Sequence, residues 1–97
     1  MAFRVAWTES AWQELEQAAD FIARDSPRFA AALVDEVRSA ASSLRRFPKR
    51  GRVLPEVGDE SIRELFVKSY RLIYEIRQDD IVILAVIHGA RRIPTDL

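Results

Sequence analysis

The sequence has no cysteine, no long apolar run and no excess of either charge. Without cysteine, the chain has neither disulfides nor thiolate metal sites, which fits a reducing compartment and predicts a cytoplasmic location. No apolar run approaches the roughly 20 residues that a membrane-spanning helix needs. At the N-terminus, Arg4, Glu9 and Glu14 interrupt the apolar core that a secretory signal would require. We therefore expect no membrane partner, no metal and no cofactor.

Charge is balanced over the whole chain, because fifteen Lys and Arg residues offset fifteen Asp and Glu residues. The net charge therefore favours neither a nucleic-acid nor a membrane partner. Its distribution is uneven, since residues 1–44 carry a net −3 and residues 45–97 a net +3. This asymmetry predicts a basic functional face on the C-terminal half. At this length we expect a single domain over residues 1–97.

Most branched and aromatic residues of the C-terminal half lie in three runs between residues 62 and 89. Two short polar breaks, at 68–69 and 78–80, separate the runs and leave room only for hairpin turns. The pattern predicts a three-stranded antiparallel meander. Its last run, 81–87, contains no polar residue, so we expect that strand inside the sheet with both faces covered.

The N-terminal half begins with an alternating segment, residues 2–7, which predicts a short strand. Apolar residues then recur at spacings of three and four from residue 9 to about 24, and again from residue 27 to about 46, which predicts two amphipathic helices. Thr8 and Ser26 are positioned as their N-caps, and Pro27 as the first residue of the second helix. The predicted fold class is α+β with the order β-α-α-β-β-β, in which an N-terminal helical hairpin packs on a mainly antiparallel four-stranded sheet.

Basic residues cluster at the end of the second helix and in the irregular loop that follows it. The cluster consists of Arg45, Arg46, Lys49, Arg50 and Arg52. One interpretation is a solvated helix end, where cations compensate the C-terminal carbonyls. The other is a contact surface for phosphates or for an acidic segment of a partner.

Alternation along residues 69–77 assigns the side chains of one strand to two faces. The set expected to face the helices is Tyr70, Leu72, Tyr74 and Ile76. The set expected to form an open polar face is Arg71, Ile73, Glu75 and Arg77. The same alternation puts His88, at the end of the last strand, in phase with Val82, Leu84 and Val86. Whether Arg63, Arg71 and His88 converge depends on the strand register.

Three motifs carry a resemblance to a known family. They are Arg63-Glu64-Leu65, Tyr70-Arg71-Leu72-Ile73-Tyr74 and Val86-Ile87-His88-Gly89, and they follow the segment FPKRGR at 47–52. In this order the chain resembles, over nearly its whole length, the RelE/ParE superfamily of bacterial toxins. The resemblance implies the toxin of a type II toxin–antitoxin (plasmid stabilisation-like) system, held in a hetero-oligomer by a cognate antitoxin. In such pairs the antitoxin's C-terminal segment covers the toxin as a helix or as an added strand.

The two branches of this superfamily imply different activities. RelE-type members cut mRNA in the ribosome, and for that reaction Arg63 and Arg71 would supply charge while His88 or Glu75 transfers a proton. RelE-type sites generally use a tyrosine or a further acid–base group near the C-terminus, but no tyrosine follows His88. Such nucleases also tend to be markedly basic, whereas this chain has no net charge. The resemblance therefore favours a ParE-type inhibitor of DNA gyrase, which would not need to be an enzyme; the alternatives are a ribosome-dependent mRNA endonuclease and an inactive antitoxin-binding member.

The residues predicted to contact the antitoxin or the target are all cations. They are Arg45, Arg46, Lys49, Arg50, Arg52, Arg63, Arg71, Arg77, Arg91 and Arg92. Structural roles compete with this prediction. Arg63 is equally suited to pairing with a carboxylate or a backbone carbonyl, and a histidine at a strand end is more often a packed, hydrogen-bonded residue than a catalytic base.

Overall fold

The computed structural model describes residues 2–89, so the predicted contact residues Arg91 and Arg92 lie outside the described residues. A helical hairpin packs on one face of a five-stranded sheet. In chain order the elements are β1 (Arg4–Trp7), α1 (Glu9–Ala23), α2 (Pro27–Ser43), β2 (Arg52–Val53), β3 (Ile62–Val67), β4 (Tyr70–Arg77) and β5 (Asp80–His88). The mixed α+β class and the order of the predicted elements are confirmed. No helix within residues 2–89 is long and apolar enough to cross a membrane.

The sheet has five strands, so the prediction of four was wrong. The strand order is β1-β5-β4-β3-β2, with β1 parallel to β5 and the other neighbours antiparallel. The additional strand, β2, lies in the loop expected to be irregular. It comprises two residues that pair with Glu64 and Arg63. So short a strand has no pattern of its own in the sequence, and it forms because β3 offers an edge to pair with.

The helical hairpin is held by the predicted caps. The hydroxyl of Thr8 accepts a hydrogen bond from the Ala11 N–H at 3.1 Å, and the hydroxyl of Ser26 accepts one from the Phe29 N–H at 3.2 Å. Each cap satisfies a donor that the first helical turn leaves without a partner in the helix. Both helices present their buried residues to the sheet, so the hairpin fixes which face of the sheet is inside.

A bulge in β5 changes which side chains share a face. Tyr74 pairs with Ile83 and Ile73 with Ala85, so Leu84 has no partner on β4. Because the extra residue reverses the alternation beyond it, the end of β5 turns to the opposite face. His88 therefore shares the helix-side face with Ile81 and Ile83, and its predicted grouping with Val82 and Leu84 was wrong.

The core occupies both faces of the sheet. On the helix side, the expected inward set is confirmed, with Leu72 and Tyr74 fully buried among residues of both helices. On the second face, the loop between β2 and β3 places Leu54 over Ile73 and its neighbours. The predicted open polar face was wrong at Arg71 and Ile73, which are both buried. Apolar residues of the loop between β2 and β3 cover this face of the sheet.

Candidate binding surface

Tyr74 fixes the start of the basic loop to the sheet. Its side chain is fully buried, and its hydroxyl donates to the Pro48 carbonyl at 2.7 Å while accepting from the Gly51 N–H at 2.9 Å. Burial raises the pKa of Tyr74 above its ordinary value. Position 51 requires glycine because its backbone lies close to the sheet. A Cβ there would lie 2.5 Å from the Glu64 carbonyl oxygen and 2.7 Å from the phenol oxygen of Tyr74. The phenol therefore serves as a buried structural link.

Arg71 is the centre of an ion network on the second face of the sheet. Its side chain is only 8% exposed. The Nε donates to Glu64 Oε1 at 2.6 Å, and the two Nη atoms donate to the carboxylate of Glu56 at 2.9 and 3.1 Å. The other oxygen of Glu64, whose side chain has no exposure, accepts from Nε of Arg52. Arg71 is therefore enclosed by carboxylates rather than displayed on an open face.

The charges of this network reinforce one another. The hydrogen bonds from Arg71 hold the pKa of Glu56 below its ordinary value. In return, the bonds to Glu56 raise the pKa of Arg71. Both shifts favour the charged forms of Glu56 and Arg71, so Glu56 fastens the loop between β2 and β3 to the strand beneath it.

Arg63 holds the loops on both sides of β2 from the helix-side face. Its position opposite Tyr74 in the β3–β4 register turns its side chain to that face. The Nη1 donates to the Gly51 carbonyl at 2.9 Å and the Nε to the Glu60 carbonyl at 2.9 Å. Both bonds are to main-chain oxygens, one in the loop before β2 and one in the loop after it, which is the structural role foreseen as one alternative.

His88 lies at the far end of β5, paired with Tyr70. The two rings meet edge to face, with their centroids 5.4 Å apart. Along β4, the partner of Arg63 is four residues from the partner of His88, a separation of about 13 Å at the usual rise of a strand. Arg71 faces the opposite side of the sheet. The register therefore does not bring Arg63, Arg71 and His88 together.

Glu75, the other suggested proton carrier, accepts from Nε of Arg77 at 2.6 Å. Arg77 is an exposed residue at the end of β4. Within residues 2–89, no group of three or more His, Cys, Asp or Glu side chains is arranged to hold a metal ion.

The predicted basic cluster separates into three surfaces. Arg45 and Arg46 line hollows beside β1. Lys49 and Arg50 line a hollow with Phe47 and Pro48, and the Nη1 of Arg50 also donates to the Ser43 hydroxyl. Arg52 belongs to the second face, where it bonds Glu64 and stacks over the Phe66 ring with 5.7 Å between the guanidinium carbon and the ring centroid.

Two arginines outside the predicted set join one of these surfaces. Arg4 and Arg38 line a groove of about 420 Å³ with Arg45, between β1 and the C-terminal half of α2. The spacing of Arg38 and Arg45 contained the signal, because the second helix was predicted to run to about residue 46 and residues seven apart on a helix lie on one face. In the structure α2 ends at Ser43, and Arg45 lies in the turn that follows it. Arg4 offered no such signal, since its place in the groove depends on how α2 crosses the sheet.

Comparison with known families matches residues 5–93 to the ParE toxin of the type II toxin–antitoxin system parDE. Two curated proteins are similar over nearly their whole length. Toxin RelE2 of Caulobacter vibrioides is 32% identical over 89 residues, covering 91% of this chain and 97% of that protein. Putative toxin Y4kP of Sinorhizobium fredii is 31% identical over 93 residues, covering 94% and 93%.

Solved structures share the fold. A chain of the chromosomal ParDE system from P. aeruginosa superposes with a TM-score of 0.73 at 18% identity, covering 90% of this chain and 96% of that one. A chain of the toxin–antitoxin complex RelBE2 from Mycobacterium tuberculosis gives a TM-score of 0.61 at 28% identity, covering 91% and 99%.

Proposed function

The chain belongs to the ParE toxin family of type II toxin–antitoxin systems, and we propose that it inhibits DNA gyrase and is neutralised by binding a cognate antitoxin. Membership confirms the resemblance to the RelE/ParE superfamily that the sequence motifs indicated. The identity of the target and the role of each cation belong to the proposal.

The observation that carries the choice of gyrase is the separation of the groups that RNA cleavage would need. A nuclease of this size must bring a base, an acid and a cation to a single phosphate. Here Arg71 is occupied by Glu64 and Glu56, and Arg63 by two main-chain carbonyls. His88 lies about 13 Å along the sheet from Arg63, and on the face opposite to that of Arg71. Such an arrangement favours action by binding rather than by hydrolysis.

An antitoxin partner is supported by the 28% identical toxin–antitoxin complex from Mycobacterium tuberculosis. In this chain the exposed cations Arg45, Arg46 and Lys49 are available to contact an acidic antitoxin segment or the target. Arg50, Arg52 and Arg77, which lie on other surfaces, are proposed as further contacts of the antitoxin or the target. Arg63 and Arg71 contribute only indirectly, because they hold the loops on either side of β2.

One observation favours a second candidate, a ribosome-dependent mRNA endonuclease. The relative with 32% identity carries the name Toxin RelE2. In that case His88 would act on a phosphate brought to the helix-side face, with Arg63 on the same face. Replacing the acid–base group of such a nuclease would lower cleavage by about 10²- to 10⁴-fold.

The test is induced expression of the chain in bacteria without any antitoxin, followed by electrophoresis of a reporter plasmid and mapping of mRNA ends. A gyrase inhibitor arrests growth and alters the plasmid's supercoiling, while codon-spaced mRNA cuts are absent. An endonuclease arrests growth with such cuts, which disappear in the His88→Ala variant. Growth without arrest would contradict both and would favour an inactive antitoxin-binding member.

A further inference from the structure

The edge of the sheet at β1 and the C-terminal part of α2 enclose a basic groove. Arg4, Arg38 and Arg45 line about 420 Å³ of space together with Ser42. A second hollow continues this groove past Ser42 and Arg45 to Arg46. Within the described part of the chain, no carboxylate lines either hollow. A concave surface that carries charges of one sign attracts and concentrates ions of the opposite sign.

Most of the positive charge in this groove is not neutralised within the chain. Arg38, Arg45 and Arg46 form no ion pair with any residue between 2 and 89. Arg4 pairs with Asp80 at 2.9 Å, but its side chain is 79% exposed, so solvent screens the pair. The guanidinium groups of α2 and of the turn after it are therefore available to the anions of another molecule.

The groove between α2 and β3 has a different character. It is lined by the acidic residues Asp35 and Glu36 as well as by Arg50 and Lys68. Glu36 and Lys68 form an ion pair there at 3.5 Å. A polyanion would therefore meet carboxylates between α2 and β3, whereas the groove at β1 presents cations to it.

The spacing of the arginines suits a row of phosphates. Arg38 lies on α2 and Arg45 in the turn after Ser43, a separation of about 10 Å at the rise of a helix. Successive phosphates of one DNA strand advance by about 3.4 Å along the duplex axis, so a row of this length spans about three of them. The fork of each guanidinium group matches two oxygens of a phosphate. The hydroxyl of Ser42, which lines the same groove, is a further donor of the kind that binds phosphates.

The aromatic residue of this groove is already packed within the chain. Trp7 lines the groove, but its ring meets the ring of Trp12 edge to face, with 5.4 Å between the centroids and 88° between the planes. Trp7 also packs against the helix-side core. Single-stranded nucleic acids are bound largely by stacking their bases on aromatic rings, whereas the backbone of a duplex needs cations and hydrogen-bond donors. The groove is therefore better suited to a duplex than to a single strand.

We propose that the groove formed by Arg4, Arg38, Ser42 and Arg45 binds the phosphate backbone of duplex DNA, with Arg46 extending the contact. This inference rests on the proposed function, because gyrase acts on duplex DNA and the toxin meets that polyanion beside the enzyme. The arginines position the toxin on the DNA without reading its sequence. The groove thereby gives the toxin a contact with the DNA that gyrase holds, in addition to its contact with the enzyme.

The first experiment measures DNA binding by the full chain in the absence of gyrase. Fluorescence anisotropy follows a labelled DNA duplex of about 20 base pairs between about 50 and 200 mM salt. Phosphate contacts release counterions, so the logarithm of the association constant should fall against the logarithm of the salt concentration. We expect a slope of about −3, the value for roughly three or four contacts. One labelled strand of the same duplex is the comparison and should bind more weakly.

Matched variants separate the groove from general electrostatic attraction. Arg38→Ala/Arg45→Ala should weaken duplex binding by about tenfold or more and make the salt slope shallower by about 2, because two phosphate contacts are lost. Arg24→Ala/Arg28→Ala removes the same charge from the tip of the helical hairpin. It should leave the slope unchanged and the affinity within about twofold, because salt screens charges remote from the contact. All four side chains belong to exposed residues, so both variants retain the fold, which urea unfolding verifies.

The second experiment adds the same two variants to a gyrase supercoiling assay. Arg38→Ala/Arg45→Ala should need about a tenfold higher concentration than the wild type for half-maximal inhibition, and Arg24→Ala/Arg28→Ala about the same concentration as the wild type. Binding to gyrase immobilised without DNA should be equal for the two variants, because the groove contacts the nucleic acid.

Four outcomes overturn the proposal. If the wild-type chain does not bind the duplex at the lowest salt concentration, or if both variants weaken binding equally, the groove is not a DNA site and the proposed function still stands. If the single strand binds more tightly than the duplex, the groove takes unpaired nucleic acid. If Arg38→Ala/Arg45→Ala loses affinity for gyrase without DNA, the groove contacts the enzyme instead. If the wild-type chain does not inhibit gyrase, the proposed function fails, and the contact in the gyrase complex fails with it.

Discussion

Arg71 illustrates how one side chain can look functional in the sequence and prove structural in the fold. Alternation placed it on the face away from the helices, which is correct, but that face is covered by the loop carrying Leu54 and Glu56. Glu64 could have been foreseen as its partner. A two-residue turn at Lys68 and Ser69 fixes Val67 opposite Tyr70, and Glu64 then lies diagonally across from Arg71. Glu56 could not have been foreseen as a partner of Arg71, because no local sequence pattern determines where a loop folds back onto the sheet.

Removing Arg71 should therefore impair folding. In Arg71→Ala, the buried carboxylate of Glu64 keeps only Arg52, and we expect a loss of about 3 kcal/mol in the free energy of unfolding. Urea denaturation measures it. Arg77→Ala serves as the control, because that arginine is exposed and its removal should change stability by no more than about 0.5 kcal/mol. Equal effects for the two variants would contradict the buried network.

Glu56 should make this network sensitive to acid. Its pKa is lowered in the folded state by the bonds from Arg71. A depressed carboxyl pKa stabilises the fold at pH values above the unfolded pKa, and that contribution is lost as pH falls through the folded value. The free energy of unfolding of the wild type should exceed that of Glu56→Gln by about 1 kcal/mol at pH 7. The difference is modest because the surface of the loop is solvated.

The difference in the free energy of unfolding between the wild type and Glu56→Gln should shrink below about pH 4.5 and vanish in stronger acid. Unfolding curves between pH 7 and pH 2 follow it, with Glu60→Gln as the matched control on the same loop. A difference that stays constant with pH would show that Glu56 is not the carboxylate concerned.

At the scale of elements, the parts of the fold set by local pattern were predictable, and those set by tertiary contacts were not. The two helices, their caps at Thr8 and Ser26 and the turn at Lys68 follow from spacing and residue type. The bulge at Leu84 does not, because the β5 run is apolar on both faces and shows no break in its alternation. The bulge decides on which face of the sheet His88 lies. The predicted strand had no bulge, so the predicted site placed His88 on the wrong face.

The loop between α2 and β2 packs closely against the sheet at Gly51, which gives a test at this scale. In Gly51→Ala, the new Cβ would meet the Glu64 carbonyl oxygen and the Tyr74 hydroxyl, so the loop must shift and the hydrogen bond from the Gly51 N–H must break. We expect a loss of about 2 kcal/mol in the free energy of unfolding.

Gly58→Ala is the comparison for Gly51→Ala. At Gly58 no atom lies within 4 Å of an added Cβ, and only its φ of +74° opposes a side chain. Its substitution should cost about 1 kcal/mol. A smaller loss for Gly51→Ala than for Gly58→Ala would mean that the loop is not held against Tyr74 as described.

For the whole molecule, uneven charge is the property that connects sequence, fold and proposed partner. The net −3 of residues 1–44 and net +3 of residues 45–97 suggested a basic face on the sheet half. In the fold, the cations of the second half do not form one patch. Arg71 and Arg52 are neutralised by Glu64 and Glu56, while Arg45 combines with Arg4 and Arg38 of the first half. A balance calculated along the chain could not anticipate that redistribution.

The most direct measurement is a supercoiling assay with purified DNA gyrase, relaxed plasmid and ATP, to which the purified chain is added. We predict that supercoiling is inhibited, that His88→Ala inhibits to within about twofold of wild type because no proton transfer is involved, and that the antitoxin restores supercoiling. Full gyrase activity at saturating toxin, together with cleavage of ribosome-bound mRNA that is lost in His88→Ala, would contradict the account.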